Sequence, residues 1–287
     1  MPALKRERIT SGQNPRIKEL LRLAEKSRAR RETGLFVVEG QRELGHCLDA
    51  AYVPQTIFVC ESLSGAIFSE NGSIEFKEGA DVLISKALSL NPDLNVIEVP
   101  DHLYEKLAYR GSTEGVVATV KAKTHGLKDL HLGTNPLVMV LEAVEKPGNL
   151  GAVLRSADAA GADAVIVCDP LTDLYNPNLI RSSVGSVFGV QLAAASSEET
   201  ISFLKSLNIM ILTAQLQDSS LYYETDMSGA AAIVMGAEAT GLSRQWRDAA
   251  DAHIRIPMLG RMDSLNVSVS AAVLLYEAVR QRTLKNK

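Results

Sequence analysis

Three five-residue segments in the second half of the chain contain no polar residue: Leu137-Val138-Met139-Val140-Leu141, Ala164-Val165-Ile166-Val167-Cys168 and Ala231-Ala232-Ile233-Val234-Met235. A strand with one wet face alternates apolar and polar side chains. A short strand that is apolar throughout is buried on both faces, as in a parallel sheet covered by helices above and below. The expected strands are Val138–Leu141, Ala164–Cys168, Ile209–Thr213, Ala231–Met235 and Ala252–Ile256. Helices are expected from about Asn149 to Ala160, from Pro177 to Ser183, and over Ser268–Arg282. In the last of these, Val269, Val273, Leu274 and Tyr276 are the candidates for burial. The second half therefore reads as α/β, with a mostly parallel sheet and helices on both faces.

The front half repeats the logic on a smaller scale. Asn14-Pro15 is a helix start, with Asn as cap and Pro at the first helical position. Ile17, Leu20, Leu21 and Ala24 follow at the spacing of one apolar helix face. Arg22, Lys26, Arg28, Arg30 and Arg31 line the rest of this helix, and Gly34 breaks it. Strands are expected at Leu35–Val38, Thr56–Val59, Val82–Ile84, Asn95–Val99 and Val116–Val120, and helices over 41–49, near Glu61–Phe68 and up to Leu107. This describes a small three-layer α/β domain without a glycine fingerprint or a catalytic cluster. Lys121–Asn135 is polar and weakly patterned. The expected division is a first domain over 1–123, a connector over 124–135 and a second domain over 136–287.

Composition removes several function classes. Cys47, Cys60 and Cys168 form no close pair, and the five histidines show no metal-ligand spacing, so neither disulfides nor a metal centre is expected. No apolar run approaches the roughly 20 residues of a membrane span, and no hydrophobic segment follows the basic N-terminus as in a secretory signal. A cytoplasmic protein is the expectation. The net charge of −4 hides an asymmetry. Residues 1–31 hold ten Lys/Arg against three Glu, a local +7, which leaves −11 for the rest. Arg16, Lys18, Arg22, Lys26, Arg28, Arg30 and Arg31 form a basic region suited to phosphates, or alternatively a solvated leader.

Ligands of such sheets sit beyond the carboxyl ends of the strands, and three irregular segments follow strands there. The first holds Asn149 and, six residues on, Arg155. Its guanidinium suits a phosphate or pairs with Asp158 or Glu142. Gly148 and Gly151 serve either a tight turn or an anion. In the second segment, Gly236 allows close backbone approach, and Glu238 accepts a ribose hydroxyl, anchors the neighbouring loop or caps the helix that begins near Leu242. The third runs from Ile256-Pro257-Met258 through Gly260 to Ser264 and Asn266. Asn266 also suits a helix cap. Ser264 has no neighbouring base in sequence, which argues against a nucleophile.

The segments Asn149-Leu150-Gly151-Ala152-Val153-Leu154-Arg155, Val234-Met235-Gly236-Ala237-Glu238-Ala239-Thr240-Gly241-Leu242 and Ile256-Pro257-Met258 through Ser264-Leu265-Asn266-Val267-Ser268-Val269-Ser270 resemble, in order and spacing, the SpoU/TrmH family of RNA ribose 2′-O-methyltransferases over residues 137–283. Ala239 stands where that family more often has Gly. The front half, including Asn14-Pro15-Arg16-Ile17-Lys18 and Gly34–Gly40, is similar to the family's L30e-like substrate-binding domain. The resemblance implies a deep trefoil knot, which chain physics alone would not suggest. It also implies a homodimer, S-adenosylmethionine as methyl donor, no metal, and structured RNA as substrate, ribosomal in preference to transfer RNA. It further implies a constellation of Arg155, Asn149, Glu238, Ser264 and Asn266, with the cofactor held by backbone at Gly236, Ile256 and Leu265. Arginine is essentially always protonated. Arg155 is therefore better suited to an electrostatic clamp than to a base, and the resemblance leaves both roles open. Two other readings remain: a non-catalytic RNA-binding or assembly module on the same fold, and an adenine-cofactor enzyme acting on a small molecule.

Overall fold

The computed structural model describes residues 6–64, 66–68, 74–76, 80–108, 114–238 and 240–285. The chain forms two compact units, residues 1–123 with 174–188, and residues 124–173 with 189–287.

In chain order the front half contains β1 (Arg6–Arg8), α1 (Pro15–Glu25), α2 (Ser27–Thr33), β2 (Leu35–Glu39), α3 (Gln41–Asp49), β3 (Pro54–Cys60), α4 (Glu61–Ser64), β4 (Ala66–Phe68), β5 (Ile74–Phe76), α5 (Ala80–Leu90), β6 (Asn95–Val99), α6 (Asp101–Leu107) and β7 (Val116–Lys121). Its main sheet has the order β1-β6-β3-β7-β2, with β7 antiparallel to both neighbours and the other pairs parallel. Asn14 caps α1 as expected, its Oδ1 accepting from Arg16 N at 2.9 Å. Ile17, Leu20 and Leu23 of α1 are buried with Val37, Phe58, Ile97 and Val117 on one face of the sheet. Phe36 points to the opposite face, where it stacks on Tyr175 at 4.2 Å between ring centroids. Tyr175 belongs to the 174–188 segment, and its hydroxyl accepts from Lys123 N.

Three local expectations fail here. The single helix expected up to Gly34 is two, α1 and α2, which meet at the extended Lys26. Val82–Ile84 lies inside the helix α5, not in a strand. Ile84 and Ala87 are buried and Val82 is exposed, which is a helical period hidden in a short β-branched run. The helix near Glu61–Phe68 stops at Ser64, and Ala66–Phe68 pairs antiparallel with Ile74–Phe76.

The chain continues through β8 (Leu137–Glu142), α7 (Pro147–Ala159), β9 (Ala164–Cys168), α8 (Pro177–Ser182), α9 (Ser186–Gly189), β10 (Leu192–Ala195), α10 (Ser197–Ser206), β11 (Met210–Ala214), β12 (Ser220–Leu221), β13 (Ala231–Met235), α11 (Arg244–Ala249), β14 (Ala252–Arg255) and α12 (Val267–Lys285). The sheet order is β10-β9-β8-β13-β11-β14-β12, and every pair is parallel. The later strand β13 lies between β8 and β11, an arrangement consistent with the trefoil-knot fold. All six residues of β8 and all five of β9 and of β13 are buried, as the apolar runs require. One face packs on Leu204 of α10, Trp246 of α11 and Leu242 just before α11, and α7 and α12 also pack against the sheet and each other. Leu127, Leu130 and Leu132, within the stretch read as a connector, lie partly buried against the core of this second unit. On α12, Leu274 is buried, but Val269 and Tyr276 are 48% and 50% exposed, contrary to the sequence expectation. A helix whose apolar residues run round its surface cannot bury all of them against neighbours on one side.

Because the sheet is parallel, Glu142, Ala214, Met235 and Arg255 end their strands on one rim, in register through Leu141↔Met235, Val234↔Thr213 and Ala214↔Ile254. Loops from four strands therefore start side by side.

Candidate active site

The loops after β8 and β13 leave the rim through locally constrained turns. After β8, Ala143 adopts a left-handed φ of 52°, and Pro147 opens α7 with Asn149 in its first turn. After β13, Gly236 leaves no room for a side chain. A Cβ there would lie 2.3 Å from the carbonyl carbon and oxygen of Gly241 and 2.5 Å from Leu242 N. The turn closes by Gly241 N donating to Ala237 O at 2.9 Å. Ala239, within this turn, lies outside the described residues. After β14, the chain runs irregularly until Asn266, whose Oδ1 accepts from Ser268 N at 3.0 Å and from Ser268 Oγ at 2.6 Å, capping α12.

That cap settles the orientation of the Asn266 amide, because the oxygen must face the helix donors and the nitrogen must face away. Nδ2 donates to Glu238 Oε1 and to Asn149 Oδ1, each at 3.2 Å. Asn149 Nδ2 donates to the same Glu238 Oε1 at 2.5 Å. Lys146 Nζ donates to the other oxygen, Oε2, at 2.5 Å. The hydrogen bond from Lys146 holds the Glu238 carboxyl below the usual carboxylate range, against partial desolvation. Three segments separated by 89 and 28 residues thus meet on one carboxylate. Asn266 thus caps α12 with its oxygen while its nitrogen faces Glu238 and Asn149. Glu238 does not cap the following helix: Ser243 precedes α11, its N–H donating to Glu142 Oε2 at 2.8 Å.

Beside this contact lies a cleft of about 580 Å³, lined by Gln215, Leu216, Met235, Gly236, Glu238, Leu242, Arg247, Ser264, Leu265 and Asn266. A recess of about 140 Å³, with Ile254, Ile256, Met258 and Leu274 on its walls, shares Ser264 and Leu265 with the cleft. A third hollow of about 170 Å³ holds Lys146, Asn149, Glu238, Thr240 and Val267. Ser264 is exposed, and its hydroxyl donates to Asp263 Oδ1 at 3.3 Å. Among the described residues no group of three or more His, Cys, Asp or Glu could hold a metal ion. No helix among them is long and apolar enough to cross a membrane.

Arg155 is not brought to this place within its own chain. Six residues along α7 carry it about 9 Å from Asn149 and roughly 120° around the axis, and it lines none of these three hollows. Its side chain is exposed and forms no hydrogen bond or ion pair among the described residues. The suggested partner Glu142 is instead 6% exposed and engaged by Ser243 N and Ser197 Oγ. Ser197 Oγ also accepts from Trp246 Nε1 at 2.9 Å. This buried network ties β8 to α10 and α11 behind the Gly236–Leu242 turn.

The basic region divides. Arg16 pairs with Glu7, and Arg22 and Arg28 share Glu32. Lys18, Lys26 and Arg31 are exposed. Arg30 does not belong to the charged surface. It is 5% exposed, and its Nη1 donates to the carbonyls of Leu23 at 2.5 Å and Ala24 at 3.2 Å. The turn between α1 and α2 buries its stem, so it serves as an internal clasp.

Sequence reasoning passed over Lys146, Gln215, Leu216 and Arg247. The strand-end rule that found the other segments applies equally to Gln215-Leu216 after β11.

Residues 136–276 match the SpoU rRNA Methylase family. The 23S rRNA (guanosine-2'-O-)-methyltransferase RlmB of Salmonella typhi is 39% identical over 176 residues, which cover 59% of this chain and 72% of that protein. The chain belongs to the SpoU rRNA methylase family. Residues 14–118 match the MRM3-like substrate binding domain, so both halves of this SpoU-family chain have recognised counterparts. The 23S rRNA (guanosine(2553)-2'-O)-methyltransferase RlmP of Bacillus subtilis is 26% identical over 270 residues, 94% of this chain and 98% of that protein. The AdoMet-bound rRNA methyltransferase from Sinorhizobium meliloti superposes with a TM-score of 0.84 at 27% identity, over 96% of this chain and 98% of that one. The SpoU methyltransferase AviRb from Streptomyces viridochromogenes, in complex with AdoMet, gives 0.81 at 26% identity, over 94% and 100%.

Proposed function

We propose that this protein transfers a methyl group from S-adenosylmethionine to a ribose 2′-hydroxyl of ribosomal RNA. The observation that carries this reading is the convergence of Asn149, Asn266 and Lys146 on Glu238 at the edge of the 580 Å³ cleft. RlmB and RlmP, both rRNA guanosine 2'-O-methyltransferases, support the activity and the substrate class. Cys47, Cys60 and Cys168 are buried and form no disulfide among the described residues, which fits a reducing, cytoplasmic location.

The residues present fit the cofactor. The cleft is of ligand size, the recess offers apolar walls for a flat ring, and Gly236 exposes backbone where any side chain would intrude. Backbone at Gly236, Ile256 and Leu265 would hold it. S-adenosylmethionine supplies an electrophilic methyl group on a sulfonium. Asn149, Asn266 and Ser264 orient the acceptor ribose through short polar groups, and Glu238 fixes the two amides. A 2′-hydroxyl is a poor nucleophile that needs its developing charge stabilised. Arg155, permanently cationic, performs this by clamping the oxygen and the adjacent phosphate.

Arg155 reaches a cleft only if a second copy of the chain supplies it, so the active form is a homodimer. Exposed Val269 and Tyr276 on α12 suit such a contact. The front half binds the structured RNA, with Arg16, Lys18, Arg22, Lys26, Arg28 and Arg31 meeting phosphates. The test incubates the protein with labelled methyl donor and ribosomal RNA. Label should enter RNA with the wild type and not with Arg155→Ala, which should still bind S-adenosylmethionine. Mixing the Arg155→Ala and Asn266→Ala proteins should restore partial transfer, because a mixed dimer holds one intact site. Absence of transfer by the wild type contradicts the activity, and absence of complementation contradicts the shared site.

A further inference from the structure

Lys146 lies outside the residues to which any role has been given so far, yet it makes the fourth contact of the cluster. Its side chain is 70% exposed, and an exposed ion pair adds little to stability. Its effect is geometric. A carboxylate has two equivalent oxygens, and two amide donors facing it can take one each. Here both amides crowd onto Oε1, because Oε2 is held by Lys146 Nζ at 2.5 Å. Sharing one oxygen brings the amides together, and Asn266 Nδ2 reaches Asn149 Oδ1 at 3.2 Å.

We propose that Lys146 is a positioning residue for methyl transfer: by occupying Oε2 of Glu238 it makes Asn149 and Asn266 share Oε1, and so sets where both amides stand beside the cleft. The proposal rests on the methyltransferase reading for its kinetic consequence, and on the local geometry alone for its structural one. Lys146 is itself anchored at the residue before Pro147, where α7 begins, so its Nζ and the Asn149 amide approach Glu238 from one helix turn. The other charged groups near the cluster are Glu145, beside Lys146, and Arg247 and Asp263 on the neighbouring cleft wall. None of them contacts Glu238.

The experiment uses the full chain with Lys146→Gln and Lys146→Arg. Carboxyl-carbon NMR, assigned by the signal lost in Glu238→Gln, follows the titration of Glu238. Its midpoint should rise in Lys146→Gln and return in Lys146→Arg. Methyl transfer by Lys146→Gln should fall about tenfold in kcat, a partial form of the loss caused by misplaced catalytic groups, and its acid limb should move to higher pH. The Kd for S-adenosylmethionine and the KM for RNA should stay within about twofold of wild type. An unmoved Glu238 midpoint overturns the proposal whatever the activity. So does a loss confined to the KM for RNA that deepens with salt, which would make Lys146 a phosphate contact. A wild type that transfers no methyl to RNA, while the midpoint still rises in Lys146→Gln, overturns the enzymatic reading and the kinetic half of the proposal but leaves the geometric half standing.

Discussion

Gly236→Ala is the substitution whose effect follows most directly from the geometry. The new methyl would stand 2.3 Å from two backbone atoms of Gly241, and ordinary contact begins at 3.4 Å, so the turn must retreat by about 1 Å. Backbone cannot swing aside as a flexible side chain does. Leu242, next in the chain, is 4% exposed in the core beside Trp246, and the Ser243 N–H is tied to buried Glu142. Relief of the clash is therefore expected to cost about 1–3 kcal/mol, the range for overpacking a well-packed site. Glu238 rides on the same turn. A displacement near 1 Å from the productive geometry is worth roughly a hundredfold in rate. Urea unfolding, calorimetry with S-adenosylmethionine and methyl transfer would be measured together, with Gly260→Ala as control. A Cβ at Gly260 meets nothing within 4 Å and should change stability by no more than about 0.5 kcal/mol. Wild-type affinity and activity in Gly236→Ala would refute the assignment of this glycine as the point of closest approach.

Three further outcomes are expected. Asn266→Ala should lose about 1 kcal/mol with the cap of α12, along with methyl transfer, whereas Asn266→Asp should keep the cap and lose transfer because a second carboxylate faces Glu238; denaturation and turnover separate the two. Arg30→Met should destabilise by about 1.5–3 kcal/mol through the lost charge-assisted bonds to Leu23 and Ala24 and leave the salt dependence of RNA binding unchanged. The pair Lys26→Gln and Arg31→Gln should do the reverse, lowering the slope of log affinity against log salt by about 0.7 for each contact to single-stranded RNA; filter binding at several salt concentrations checks this. Glu238 is held below the ordinary glutamate value of 4.5, chiefly by its hydrogen bond from Lys146. The carboxylate contact is accordingly complete above that pH and lost as pH falls through the lower folded value, which the NMR titration of its carboxyl carbon reads directly. A midpoint at or above 4.5 would contradict it.

The apolar runs of β8, β9 and β13 made the parallel sheet legible, because burial on both faces leaves no room for polar alternation. The loops were legible for a related reason: a parallel sheet collects its strand ends on one rim, and Asn149, Gly236, Glu238, Ser264, Leu265 and Asn266 all follow that rule. Arg155 was harder. Counting residues along a helix gave its distance from Asn149, but the angle around the axis places it on another face. Arg30 looked like its neighbours because charge alone does not reveal that a turn will enclose one guanidinium. Val82–Ile84 is too short to distinguish helix from strand by pattern. Nothing in the apolar positions of Leu174–Phe188 states which core they join, since Tyr175 and Phe188 would suit either.

The most direct measurement maps 2′-O-methyl groups across the ribosomal RNA of cells with and without this gene. One ribose should lose its methyl group in the deletion, regain it with the wild-type protein and stay bare with Arg155→Ala or Glu238→Gln. An unchanged methylation map in the deleted strain, with S-adenosylmethionine bound by the pure protein, would contradict the account.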